Sequence, residues 1–83
     1  MQAQDVYDAI AREARKRLEE GKQLRLVRLG HAQCLALGAR IAPDDTIVVE
    51  TYRDASASEP VRLMLPVERT SQHDYFQLVA VNA

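Results

Sequence analysis

Only one cysteine, Cys34, occurs in the 83 residues. An intrachain disulfide is therefore impossible, and a cysteine-built zinc site is not expected. That rules out the small secreted domain stapled by bridges and makes a reducing cytoplasm the expected setting. Glycine is also scarce. Gly21, Gly30 and Gly38 lie too far apart for a phosphate-binding loop or a dinucleotide fingerprint. The two histidines, His31 and His73, have no H-x-x-x-H spacing, and a metal site built on them would need two further ligands, of which Asp74 is one at hand. No metal and no cofactor is expected. No apolar run approaches the roughly 20 residues of a membrane helix. Met1 to Asp5 shows no basic segment leading into an apolar one, so no signal peptide is expected either.

What is present is a chain 47% hydrophobic and 28% charged, the composition of a folded globular domain. One α+β domain over 1–83 is the expected organisation. A chain of this length buries a modest core, so self-association would add useful burial, and a homodimer is expected. The net charge of −1 hides an asymmetry. Residues 1–42 hold eight Lys or Arg against five Asp or Glu, and residues 43–83 hold three against seven. Such a dipole orients a partner or a second copy but does not mark a nucleic-acid binder, which is usually basic throughout.

Tyr7, Ile10, Ala11, Ala14 and Leu18 recur at helical spacing, predicting a helix over 5–20 with Asp5 as N-cap and Gly21 as a left-handed stop. Residues 22–29 read as a strand with Leu24 and Leu26 on one face and Arg25, Val27 and Leu29 on the other, ending at a Gly30-His31 turn. Leu35, Leu37, Ala39 and Ile41 alternate, favouring a strand over 32–41, although Ala-Gln-Cys-Leu-Ala-Leu also has the propensity for a short helix. Ala42-Pro43-Asp44-Asp45 is a turn. The β-branched stretch 46–53 is a strand, and 54–59 is a polar loop. Val61, Leu63, Leu65 and Val67 alternate with Arg62, Met64 and Pro66, predicting a strand that organises the fold and pairs with 46–53. Residues 75–81 form the last strand.

One N-terminal helix packed on a four- to five-stranded antiparallel meander is the expected fold, as an open sheet or curled into a small barrel. The short connections carry that expectation. A helix followed by five short strands resembles the outline of Sm-like RNA-binding and regulator domains. The likeness lies in element order: Gly38 is a loose counterpart of the glycine that bends their second strand, and none of their nucleotide-contacting motifs is found.

Ser71, His73 and Asp74 are neighbours on one connection, which does not stack a nucleophile, base and orienter in line. Cys34 and His31 share a face only if their segment is helical, and Cys34 reads as a buried thiol. Arg12, Arg15, Lys16, Arg17, Lys22, Arg25 and Arg28 form the most conspicuous polar feature. Glu13, Glu19 and Glu20 are interleaved among them, and no aromatic residue is available there to stack on bases. Tyr52, Tyr75 and Phe76 are candidate interface anchors. Strands 46–53 and 75–81 are apolar on both faces, which in an open sheet leaves one face uncovered. The expected function is that of a small cytoplasmic, non-catalytic protein-interaction module, an inhibitor, regulator or accessory subunit acting through its sheet. The candidate contacts are Arg12, Arg15, Lys16, Arg25, Arg28, Tyr52, Tyr75 and Phe76. The alternative is a nucleic-acid-binding module using the basic N-terminal half.

Overall fold

The computed structural model describes residues 1–83 as helix α1 (Ala3–Glu19), strand β1 (Lys22–Leu29), helix α2 (His31–Leu37) running into a 3-10 turn (Gly38–Arg40), and strands β2 (Thr46–Thr51), β3 (Val61–Arg69) and β4 (Phe76–Asn82). Val6, Ile10 and Ala14, spaced by four, are the buried stripe of α1. Asp5 does not cap this helix. The helix starts earlier, with Gln2 at the N-cap, and Asp5 lies in the first turn, where its charge suits the helix dipole. Gly21, at φ 76°, stops α1 as expected, its N–H donating to the Leu18 carbonyl.

The four strands form an open sheet in the order β2-β3-β1-β4. β2 pairs antiparallel with β3, as expected from their patterns, and β4 pairs antiparallel with β1. β1 and β3, however, run parallel. The sheet is mixed, neither the antiparallel meander nor the barrel that short connections suggested. The cause is the segment 32–41, which is not a strand. At its entry the backbone N–H groups find other acceptors: His31 and Ala32 donate to the carbonyls of Gln72 and His73 at 3.0 and 2.7 Å. Helical propensity then decides the rest of α2, and only Ile41 makes a bridge, to Ile47. With α2 and β2 intervening, the chain crosses over and enters β3 in the direction of β1. Gly30 and His31 accordingly form the entry to α2, not a hairpin turn.

The inner face of the sheet, packed under α1, holds Val27 and Leu29 of β1, Ile47 and Val49 of β2, Leu65 and Val67 of β3, and Leu78 of β4. Ile10, Val27, Leu29 and Val49 are fully buried; each such side chain contributes on the order of 2 kcal/mol by leaving water. The β1 pattern departs from simple alternation. Leu24 opposes Ala80 and Leu26 opposes Val79, so β1 carries a bulge at Arg25. The extra residue turns Leu24 to the same face as Val27 and Leu29 and leaves Leu26 on the other face with Arg28. The free edge of β2 is guarded: Ala42 N donates to Thr46 O, and Glu50 N donates to the Tyr7 hydroxyl at 2.9 Å. The Thr51 hydroxyl donates to the Ala11 carbonyl, tying α1 to the end of β2.

The parallel pairing is short. It covers only Val27–Leu29 against Val67–Arg69. In an extended strand the N–H and C=O of successive residues point to alternate sides. Val67 N donates towards β2, at Asp45, and Thr70 N donates towards β1, at Leu29. Pro66 therefore faces β1, and it has no N–H to give. The ladder stops there, beside the bulge at Arg25. Beyond it, residues 22–24 of β1 and 63–65 of β3 flank a cavity of about 440 Å³.

Candidate interaction surface

The outer face of the sheet has no element over it. Its middle is apolar: Leu26, Val48, Met64, Pro66 and Val79, with Val81 beyond. In register, Val48 opposes Met64 and Leu26 opposes Val79. Met64 is 68% exposed and Val81 42%. Charge of both signs closes both ends of this band. At one end Arg28 donates to Glu68 at 2.7 Å and to Gln77 at 3.1 Å. At the other, Glu50 and Arg62 are cross-strand partners. The Tyr75 hydroxyl also donates to Gln77, extending the polar end towards β4.

The eight candidate contact residues do not form one surface. Arg28 and Tyr75 border the outer face. Arg12 and Lys16 are exposed on α1, which lies against the inner face, and so they project on the opposite side of the molecule. Arg15 is paired with Glu19 at 2.9 Å, and Arg17 with Glu13 and Glu20. Arg25 stands at the bulge. Tyr52 is exposed just past β2, and Phe76 packs into the core. The basic N-terminal half is thus divided between two faces and laced with carboxylates.

The segment that carries Ser71, His73 and Asp74 has a structural task. Gln33, buried in α2, bonds Asp74 through its amide nitrogen and accepts from Tyr75 N at 3.0 Å through its amide oxygen. Gly30 N donates to Tyr75 O at 2.8 Å. A Cβ on Gly30 would lie 2.6 Å from Tyr75 N, so only glycine admits this close approach. Asp74 is engaged with Gln33 and the side chain of Ser71 has no hydrogen bond to His73 or Asp74, so the three do not assemble a triad. The rings of His31 and His73 lie 6.1 Å apart, and no group of three or more His, Cys, Asp or Glu side chains converges. Cys34 shares the helical face with His31 but is half-buried against the core. No helix is long and apolar enough to cross a membrane.

Sequence reasoning missed Gln33 and Leu26. Strict alternation puts Leu26 on the face of Leu24, because a bulge leaves no mark on that pattern. Gln33 carried no local signal, since its partners are 41 and 42 residues away. Comparisons with protein-family models, with curated proteins and with solved structures find no match.

Proposed function

We propose that the protein is a non-catalytic interaction module that associates with a second copy of itself through the outer face of its sheet. The observation that carries this is the uncovered apolar band of Leu26, Val48, Met64 and Val79, closed at both ends by residues of both charge signs. A two-fold partner presents the same patch, so the patch must suit itself. Arg28 with Glu68 at one end and Glu50 with Arg62 at the other meet that condition, because either end offers an opposite charge to a facing copy. A small core gains from the added burial. A cytoplasmic location goes with this reading through the free thiol of Cys34.

Sedimentation velocity over a concentration series tests it. The native chain is expected to sediment as a dimer, and Met64→Arg as a folded monomer with an unchanged far-ultraviolet circular dichroism spectrum. A native chain that stays monomeric throughout sinks the reading. Nucleic-acid binding is the lesser alternative, since the cations are split between two faces and Glu50 and Glu68 sit on the sheet face. Salt-sensitive binding of random RNA at low ionic strength, lost in Arg12→Ala/Lys16→Ala, would reverse that order.

A further inference from the structure

The sheet has a second opening, which shares Met64 with the apolar band of the outer face. β3 is central in the strand order, yet its Arg62 and Met64 backbone groups face no strand. Both lie an even number of residues from Pro66, so their N–H and C=O groups point to the side of β1. There the pairing has already ended at Val27 and Val67. The facing stretch of β1, residues 22–26, is paired with β4 on its other edge only. Two strand edges thus confront each other across the cavity of about 440 Å³, with Leu18, Leu24, Leu63 and Leu65 among its lining. Its size falls in the roughly 300–1,000 Å³ range of ligand-binding clefts. Lys22 and Arg53 also line it. Arg53 is exposed and joins none of the ion pairs, whereas Lys22 has only a 3.5 Å contact to Glu20.

We infer that this slit between β1 and β3 receives a short extended peptide segment of a partner protein, one carrying acidic residues beside an apolar stretch. Unpaired backbone donors and acceptors on two facing edges are what an added strand satisfies. Side chains pointing to the inner side of such a strand meet Leu24, Leu63 and Leu65. Carboxylates meet Arg53 and Lys22, the latter with Glu20 at 3.5 Å as its one opposing charge. The other β-edges suit a guest less well. The edge of β2 is occupied by Ala42 and Tyr7, and the outer edge of β4 offers a single row of groups where the slit offers two.

The test is amide hydrogen exchange read residue by residue, on the full chain, with and without a blocked synthetic peptide of alternating valine and threonine ending in two glutamates. In the free protein the amides of Arg62 and Met64 are expected to exchange fast, while those of Leu63 and Leu65, which face β2, are protected. Saturating peptide is expected to slow Arg62 and Met64 and leave Leu63 and Leu65 unchanged. A peptide with lysines in place of the glutamates is expected to bind about tenfold more weakly, and Arg53→Glu to remove that preference. Arg62 and Met64 amides already protected in dilute free protein would mean a closed sheet and overturn the proposal. Protection that rises with protein concentration alone would assign the slit to a second copy and also overturn it. So would peptide-induced protection confined to Phe76, Leu78 and Ala80 on the β4 edge, or no saturable effect at all. The peptide arms are read at a protein concentration where sedimentation shows a single species, so that the slit and the dimer are decided separately.

Discussion

The side-chain carbonyl of Gln33 accepts a 3.0 Å hydrogen bond from the backbone N–H of Tyr75, joining α2 to the entry of β4 across 42 residues of sequence. The same amide reaches Asp74 through its nitrogen. One buried side chain thereby stands in for the ladder that residues 32–41 do not form. Gln33→Ala leaves the Tyr75 N–H without its partner in a half-buried setting. A loss of about 2 kcal/mol in stability is expected, read from the shift of the urea midpoint at constant slope. A midpoint that does not move would mean that water replaces the clamp.

Gly30 is constrained by contact, not by its dihedral angles, since its φ of −78° is ordinary. An added Cβ would meet Tyr75 N at 2.6 Å and the Gln72 and His73 carbonyls at 2.9 Å, all of them backbone atoms. Gly30→Ala must push the 72–75 segment away and is expected to cost about 2–4 kcal/mol. Thermal unfolding of the variant checks this. A near-native melting temperature would show that the segment moves aside freely.

Pro66 ends the parallel ladder by lacking a donor. Pro66→Ala supplies an N–H on the side of β1, so the ladder is expected to extend and the Met64 amide to exchange more slowly. Global stability is expected to change by less than about 1 kcal/mol, because the gained hydrogen bond offsets the entropy restored to the unfolded chain. Unaltered exchange at Met64 would place the cause of the opening in the Arg25 bulge instead.

Asp54 titrates below the usual aspartate range, chiefly because the Ser56 hydroxyl and backbone N–H both donate to its carboxylate. A depressed folded pKa contributes stability above the unfolded value, lost as pH falls through the folded one. Ser56→Ala is expected to move the Asp54 titration upward in an NMR pH series, towards the unperturbed aspartate. An unmoved titration would show that the loop hydroxyl has no part in it.

Local pattern was enough for α1, where Val6, Ile10 and Ala14 mark one face and Gly21 supplies the stop. It was enough for β2 and β3, whose Ile47 and Val49 pack beside Leu65 and, more peripherally, Leu63 on one inner face. It failed at 32–41, where Leu35, Leu37, Ala39 and Ile41 alternate by accident. Leu35 is 68% exposed and Leu37 buried, yet both belong to a helix. Tyr52 and Phe76 illustrate the same limit for the interaction surface, because aromatic character does not say whether a ring points at solvent or core.

The amino-acid order settles which stretches are helical or extended wherever periodicity is long enough to be unambiguous, and it settles the lack of disulfides and phosphate loops. Strand order, the parallel alignment of β1 with β3 and the face that Leu26 occupies were decided only in three dimensions. Each depends on partners dozens of residues away: the carbonyls of Gln72 and His73 for α2, the register against Val79 for the bulge, and the side to which the nitrogen of Pro66 happens to point.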